Sequence, residues 1–171
     1  MSAQVTLRRW TRSSRRRARG DRSLARRVSH AVTTDEDGED EGLPVGADAP
    51  AIELPALDGE RISLNDLGRE ALLLFWNPNC GYCRGMHDDL LAWEQASNGV
   101  APQLVVISSG DAESTRAEGF SSHVLLDEEF AAGSAFGANG TPIAVLVDQD
   151  GKMASGVVAG ADDVLALARN G

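Results

Sequence analysis

The sequence is poor in cysteine. Its 171 residues include two, Cys80 and Cys83, separated by two residues in the segment CGYC. So few thiols argue against a disulfide-rich scaffold, which depends on many cross-links. They also argue against a structural zinc site, which needs four ligands. His30, His87 and His123 are far apart in the sequence, and only His87, one helical turn after Cys83, could supply a third ligand, so we predict no metal site.

The sequence also lacks a long apolar run. The most apolar stretch, residues 71–76, has the length of a strand, whereas a membrane-spanning helix needs about 20 apolar residues. A secretory signal needs an apolar region of about 7–15 residues after a basic start, and here acidic residues follow the basic N-terminal segment instead. As written, the sequence predicts a soluble, unexported chain, and it leaves the compartment unknown.

Charge is spread unevenly along the chain. Residues 1–33 carry ten arginines and one aspartate, residues 35–41 carry six acidic residues, and residues 44–171 carry six basic and nineteen acidic residues, a net charge of −13. The arginine-rich segment has few large apolar side chains, so it cannot bury enough surface to offset the entropy lost on ordering. We therefore predict a disordered, arginine-rich then acidic tail over residues 1–43 and a globular domain over residues 44–171.

The basic segment raises the question of nucleic-acid binding, which arginine-rich runs can support. Trp10 is its one aromatic residue, however, and no nucleic-acid-binding fold follows it. We interpret the segment as a solvated tail and expect no nucleic-acid partner.

Hydrophobic patterning over residues 44–171 predicts an α/β domain. Apolar and turn-forming residues favour a hairpin at each end of a series of alternating strands and helices. The predicted strands cover residues 51–54, 61–64, 71–76, 103–108, 123–126, 142–148 and 152–158. The predicted helical segments cover residues 63–68, 80–96, 111–120, 127–137 and 161–170. The run over residues 71–76 is apolar throughout, as expected of a strand that is buried on both faces of a sheet.

The two cysteines lie where the predicted strand 71–76 leads into the next helix. Cys80 falls at the helix start, with Asn79 as the expected N-cap. Unpaired N–H groups and the helix dipole favour a thiolate there and lower the pKa of a cysteine. Cys83, nearly one turn later, is placed to attack a mixed disulfide on Cys80, as thiol–disulfide exchange requires. The pattern favours a redox pair over a structural disulfide, because so small a loop removes little chain entropy.

Three segments of the sequence resemble known thioredoxin-fold proteins. The segment "FWNPNCGYC", residues 75–83, resembles the active-site segment of thioredoxin. Residues 44–67 resemble the extra N-terminal hairpin of the TlpA-like disulfide reductases and the broader redoxin (AhpC-TSA) group, and residues 138–160 resemble their cis-proline segment and closing hairpin. The resemblance implies a thioredoxin-like fold, in which helices flank a central mixed sheet, with an added N-terminal β-hairpin.

The resemblance also implies roles for individual residues. Cys80 would be the nucleophile and Cys83 the resolving thiol. Pro142 matches the proline whose preceding peptide bond is cis, and Thr141 would present backbone groups to an extended substrate. Trp76 matches the aromatic residue before the active-site loop and joins these as a substrate-binding candidate.

Tyr82, the only tyrosine, is a further substrate-binding candidate with two interpretations that the sequence leaves open. Its ring could face a substrate, or it could be a tolerated exposed aromatic. With Gly81 it forms the dipeptide found between the cysteines of periplasmic disulfide isomerases. The direction of electron transfer therefore stays open.

Two acids of the resembling proteins are absent. Leu74 occupies the position of the buried acid of thioredoxin, and Met86 occupies the position of an acid in some TlpA-like reductases. The sequence therefore identifies no base that deprotonates Cys83. His87 and Asp88 follow nearby, and we expect both to lie at the surface.

The expected function is a thiol–disulfide oxidoreductase that reduces or exchanges disulfides in partner proteins. No separate cofactor is expected, because the cysteines themselves carry the electrons. The resemblance implies protein disulfide substrates and an upstream thiol partner that resets the pair. It also implies association with a membrane redox partner, since this family usually works outside the cytoplasm. We expect a monomer.

Two other functions stay open. The redoxin group includes peroxiredoxins, whose peroxidatic cysteine follows a proline and a threonine or serine at fixed positions, occupied here by Leu73 and Asn77. A thiol peroxidase would therefore have an incomplete peroxide site. The second alternative is a redox-inert thioredoxin-like interaction module, which would be indifferent to Cys80→Ser.

Overall fold

The computed structural model describes residues 42–98, 100 and 102–171. The tail predicted over residues 1–43 lies outside the described residues, except for its last two positions. Within the described part of the chain, no helix is both long enough and apolar enough to cross a membrane.

Strands and helices alternate over most of the described domain. The strands are β1 (Glu53–Pro55), β2 (Arg61–Ser63), β3 (Ala71–Trp76), β4 (Gln103–Ser108), β5 (His123–Leu126), β6 (Ile143–Val147) and β7 (Val158–Ala159). The helices are α1 (Gly81–Ser97), α2 (Ala112–Ala117), α3 (Ala131–Ala135) and α4 (Ala161–Asn170).

β3 lies in the middle of a five-stranded sheet with the strand order β5-β4-β3-β6-β7. The pairs β3–β4 and β4–β5 are parallel, whereas β3–β6 and β6–β7 are antiparallel. This is the central mixed sheet that the sequence and its resemblance predict. β1 and β2 form a separate antiparallel pair, which confirms the N-terminal hairpin.

The side chains of β3 separate two apolar cores. Successive side chains of a strand point to opposite faces, and every residue of β3 is fully buried. Leu73 and Phe75 belong to one apolar cluster, while Leu72, Leu74 and Trp76 belong to another. The strand thus ends with Trp76 on the second face.

α1 covers that second face with the residues that its helical spacing predicts. Cys83, Met86 and Leu90 are buried in the same cluster as Trp76, and Trp93 packs against it. The strand, the loop and the helix that carry the cysteines therefore share one core.

The segment 63–68, predicted as one helical turn, is not helical. The Ser63 hydroxyl donates to the Asn65 side chain at 2.8 Å, and the Asp66 N–H donates to the Ser63 carbonyl at 3.3 Å. These bonds form a turn that does not continue as a helix. The helical-turn prediction is therefore wrong.

The two middle helices are shorter than predicted. α3 begins at Ala131, because Phe130 has a left-handed backbone with φ 57° and the Asp127 carboxylate accepts the N–H groups of Ala131 at 2.9 Å and Gly133 at 3.1 Å. α2 ends before Gly119, where φ is 75°, a conformation that glycine adopts readily. The hydrophobic pattern does not predict where α3 begins or where α2 ends.

The second strand of the C-terminal hairpin is interrupted. Near its start it forms isolated bridges to Asp48 and Val147, and regular pairing begins at β7. Between these points the Ser155 hydroxyl accepts the Leu146 N–H at 2.9 Å, so a side chain replaces a backbone partner. The strand prediction over residues 152–158 is therefore wrong in its first part, whereas the turn before it, closed by the Gly151 N–H, is confirmed.

Candidate active site

A short loop after β3 places the first cysteine at the start of α1. The Asn77 carbonyl accepts the Cys80 N–H at 3.0 Å, and the Asn77 side-chain oxygen accepts the Asn79 N–H at 2.8 Å. Asparagine side chains commonly organise tight turns in this way. Cys80 itself occupies the N-cap position, with φ −80° and ψ 125°. The prediction of Asn79 as the N-cap is therefore wrong by one residue, because Asn79 is part of the turn.

Cys80 is a partly exposed free thiol. Its Sγ donates to the backbone carbonyl of Thr141 at 3.3 Å. Burial acts to raise the pKa of Cys80, but hydrogen bonds from the Cys83 N–H, the Thr141 hydroxyl, the Cys83 thiol and the Tyr82 N–H together hold that pKa below its ordinary value. The two N–H donors belong to the first turn of α1, where backbone donors lack helical partners.

Cys83 is also a free thiol, but it is completely buried. Burial raises the pKa of Cys83 to about 12, and hydrogen bonding from the Asn77 backbone offsets this only in part. The two thiols therefore differ in both access and acidity. Cys80 is the one suited to attack an external disulfide, since the thiolate is the nucleophile.

Thr141 and Pro142 bring a second chain segment to the cysteines. Their peptide bond is cis, as the resemblance implies. β6 follows directly and pairs antiparallel with β3, beginning with Phe75 opposite Ile143. The start of β6 therefore lies beside the end of β3, where the cysteine loop begins, and the Thr141 carbonyl contacts Cys80.

The two aromatic candidates lie in opposite environments. Tyr82 is 78% exposed two residues after Cys80, so its ring is open to a partner. Trp76 is fully buried, and its indole N–H donates to the Glu118 carboxylate at 3.2 Å. Trp76 therefore packs behind the cysteines and not at the surface that a substrate meets, which corrects its predicted role as a direct substrate contact.

The sequence predicts His87 at the surface, whereas the structure shows it only partly exposed. The His87 side chain is 22% exposed, and its Nε2 lies 2.8 Å from the carbonyl oxygen of Glu118. Its ring packs against Trp76 and Phe120, with ring centroids 5.9 and 5.4 Å away. Local patterning cannot show these contacts, because Glu118 is 31 positions further along the chain. Asp88, by contrast, is exposed as predicted.

Glu118 is the residue near the site that the sequence does not indicate. Its side chain is 15% exposed, and the carboxylate oxygen that accepts the Trp76 indole N–H lies 3.6 Å from Nε2 of His87. A glutamate that directly follows a short helix in an acidic chain carries no sequence signal of burial. Its importance is visible only once the fold brings α1 and the segment after α2 together.

The part of the chain that the structure describes contains no candidate metal site. There, no group of three or more histidine, cysteine, aspartate or glutamate side chains is arranged to hold a metal ion. Both cysteines are free thiols.

Comparisons with known proteins agree with the observed fold. A family model for the thioredoxin-like domain matches residues 59–170, and the chain therefore belongs to the thioredoxin-like domain family. The thioredoxin domain of a thiol-disulfide oxidoreductase from Bacteroides vulgatus is 26% identical, with a TM-score of 0.61 over 74% of this chain and 96% of that one. A thiol:disulfide interchange protein from a Bacteroides species is 25% identical, with a TM-score of 0.60 over 75% and 90% of the two chains.

These neighbours also narrow the group within the family. The chain is a thioredoxin-fold redox protein of the TlpA-like group, with the N-terminal hairpin that this group adds. The general class, a thioredoxin-like thiol-disulfide oxidoreductase, is supported by the same neighbours. A search of curated proteins found no match.

Proposed function

We propose that this protein exchanges electrons with protein disulfides through Cys80 as the nucleophile and Cys83 as the resolving thiol. The observation that carries the proposal is the contrast between the two thiols. Cys80 is partly exposed with a pKa below its ordinary value, whereas Cys83 is buried with a pKa raised to about 12. A reactive outer thiol beside a protonated inner thiol is what sequential attack and resolution require.

In the reducing direction, the Cys80 thiolate attacks one sulfur of a partner's disulfide. A mixed disulfide forms, and the partner's other sulfur leaves as a thiolate that takes up a proton. Cys83 then loses its proton and attacks the Sγ of Cys80, and the bond to the partner's remaining sulfur breaks. The partner has gained two electrons and leaves as a dithiol, while this protein keeps a Cys80–Cys83 disulfide. The same steps in reverse oxidise a partner.

The proposed substrate contacts are Thr141, Pro142 and Tyr82. The Thr141 carbonyl touches the Cys80 thiol, so a partner chain that runs along Thr141 and Pro142 brings its disulfide within reach of Cys80. Tyr82 offers an exposed aromatic surface beside the same thiol. Trp76 is buried and packs behind the loop that carries the cysteines.

The partners follow from this chemistry. The substrates are proteins that carry disulfides, and an upstream thiol partner reduces the Cys80–Cys83 disulfide again. We also propose a membrane redox partner and a monomeric state. No separate cofactor is needed, because the two cysteines carry both electrons. The net charge of −13 over residues 44–171 disfavours acidic partners.

The test is a trapping experiment on the full chain. Cys83→Ser, incubated with a protein whose disulfides are intact, such as native insulin, should accumulate a mixed disulfide on Cys80. Mass analysis under non-reducing conditions detects this product. Cys80→Ser should trap nothing and reduce nothing. Failure of Cys83→Ser to trap a partner would contradict the proposal.

The two alternatives give different results in parallel assays. Rapid, Cys80-dependent consumption of hydrogen peroxide would indicate a thiol peroxidase. Unchanged behaviour of Cys80→Ser in every assay would indicate a redox-inert interaction module.

A further inference from the structure

Resolution requires Cys83 to lose a proton, but its thiol belongs to an apolar cluster. Cys83 is fully buried. Leu74 and Met86 occupy the positions at which the resembling thioredoxin-fold proteins carry acidic residues. Both are buried in the same apolar cluster as Cys83. A proton acceptor for the resolving step must therefore come from another position.

We propose that His87 is the proton acceptor that assists ionisation of Cys83 during resolution. His87 lies four residues after Cys83 on α1, so the two side chains share one helix face with Cβ atoms about 5–6 Å apart. The His87 ring also contacts Trp76, which lies in the same buried cluster as Cys83. This inference rests on the proposed function, because only a resolving thiol needs such an acceptor.

The hydrogen bond to Glu118 fixes which nitrogen of His87 accepts the proton. Nε2 lies 2.8 Å from the Glu118 carbonyl oxygen. A carbonyl oxygen accepts and cannot donate, so Nε2 carries a hydrogen and the lone pair of the neutral ring lies on Nδ1. Nδ1 is therefore the atom that takes up a proton.

The charges around His87 suit an imidazolium ion. The Glu118 carboxylate lies 3.6 Å from Nε2, and the Asp88 carboxylate lies 3.7 Å from Nδ1. β3 and the segment after α2 also contribute uncharged aromatic rings. Arg84, three residues earlier on α1, is exposed to solvent. The two carboxylates next to the ring offset the charge that forms when the ring accepts a proton.

The proposed step is balanced in protons and electrons. The Cys83 thiol gives its proton to Nδ1 of His87. The Cys83 thiolate attacks the Sγ of Cys80, and the bond from that atom to the partner's sulfur breaks. The partner's sulfur leaves with the electron pair as a thiolate, and the imidazolium then returns its proton to solvent.

Ellman's reagent, 5,5′-dithiobis(2-nitrobenzoate), separates the two steps in the full chain. Attack by Cys80 releases one thionitrobenzoate and leaves the other on Cys80 as a mixed disulfide; attack by Cys83 releases the second. His87→Asn should leave the first release unchanged and slow the second about 100-fold near neutral pH, the lower end for general acid–base catalysis. His123→Asn, which changes an exposed histidine on β5, is the matched control and should leave both rates unchanged.

The pH profile separates a proton acceptor from a purely structural residue. In the unsubstituted protein, the rate of the second release should rise with pH less steeply than tenfold per unit, because a side chain takes part as the proton acceptor. In His87→Asn it should rise about tenfold per pH unit, because only direct ionisation of Cys83 then remains. His87→Phe keeps an aromatic ring in the cluster and should reproduce the His87→Asn profile, so a folding defect of one variant does not decide the test.

Two results would overturn the assignment of His87. One is an unchanged second release in both His87 variants, and the other is a second release that is slower by the same factor at every pH. Absence of a second release in the unsubstituted protein would instead contradict the Cys80–Cys83 pair itself. The failure of this inference and the failure of the proposed function are therefore distinguishable.

Discussion

The Sγ of Cys80 lies 3.3 Å from the backbone carbonyl oxygen of Thr141, although 61 positions separate the two residues. The carbonyl accepts the thiol hydrogen, but it has no hydrogen to offer a thiolate. Ionisation of Cys80 therefore ends this hydrogen bond and leaves the Thr141 carbonyl oxygen available to another donor. In the proposed function, that donor is the backbone N–H of an extended partner chain.

Alkylation should distinguish the two thiols in the native protein. Iodoacetamide near neutral pH should modify Cys80 and leave Cys83 free, because Cys83 is buried and its pKa is raised to about 12. Peptide mass analysis after a short reaction gives the site. The same reaction in denaturant is the control and should modify both cysteines. Equal labelling in the native protein would contradict the assigned roles.

The raised pKa of Cys83 implies a loss of stability at alkaline pH. Burial raises this pKa from 9.0 to about 12, so between these values the unfolded chain releases a proton that the folded chain keeps. The stabilisation is fully present below pH 9 and falls as pH rises, by up to about 1.4 kcal/mol in the free energy of unfolding per pH unit.

Urea unfolding at a series of pH values checks this expectation. Above pH 9 the free energy of unfolding should fall less steeply for Cys83→Ala than for the unsubstituted protein. Parallel pH dependences of the two proteins would show that burial does not raise the pKa of Cys83.

The hydrogen bond between Trp76 and Glu118 should contribute to stability. Glu118→Ala leaves the buried indole N–H of Trp76 without its acceptor, which should cost about 1–3 kcal/mol in the free energy of unfolding. Glu118→Gln keeps an acceptor oxygen and should cost less. Chemical denaturation of both variants gives the comparison, and equal losses would argue against this hydrogen bond as the cause.

Gly151 should tolerate substitution less well than Gly59. Both have a left-handed backbone, with φ 74° and 90°, but a Cβ at Gly151 would meet the Asn65 carbonyl oxygen, whereas a Cβ at Gly59 meets nothing. Gly59→Ala should therefore cost only the backbone strain of about 1–2 kcal/mol. Gly151→Ala should cost more, as measured by thermal or urea unfolding. Equal costs would show that the turn shifts to relieve the contact.

The sequence predicts those elements whose environment repeats along the chain. β3 is apolar throughout because both faces are covered, and α1 shows its buried face in the spacing of Cys83, Met86 and Leu90. The placement of the two cysteines is predictable for a similar reason, since a strand, a short loop and a helix start are all local features.

The features that the sequence does not predict depend on single side chains or on distant partners. The start of α3 is set by the backbone of Phe130 and the carboxylate of Asp127, and neither changes the apolar periodicity. The burial of His87 depends on Glu118 and Phe120, which come from beyond β4. Such contacts follow from the tertiary fold and have no counterpart in local patterning.

The most direct test of the central claim is equilibration of the full chain in thiol–disulfide buffers of defined potential, followed by alkylation and mass measurement. The account predicts a Cys80–Cys83 disulfide that forms and is lost in a single two-electron transition and is absent from Cys80→Ser and Cys83→Ser. The potential also gives the direction: a value near −270 mV indicates a reductant, and a value near or above about −180 mV indicates an oxidant or isomerase. A chain that forms no Cys80–Cys83 disulfide in any buffer would contradict the account.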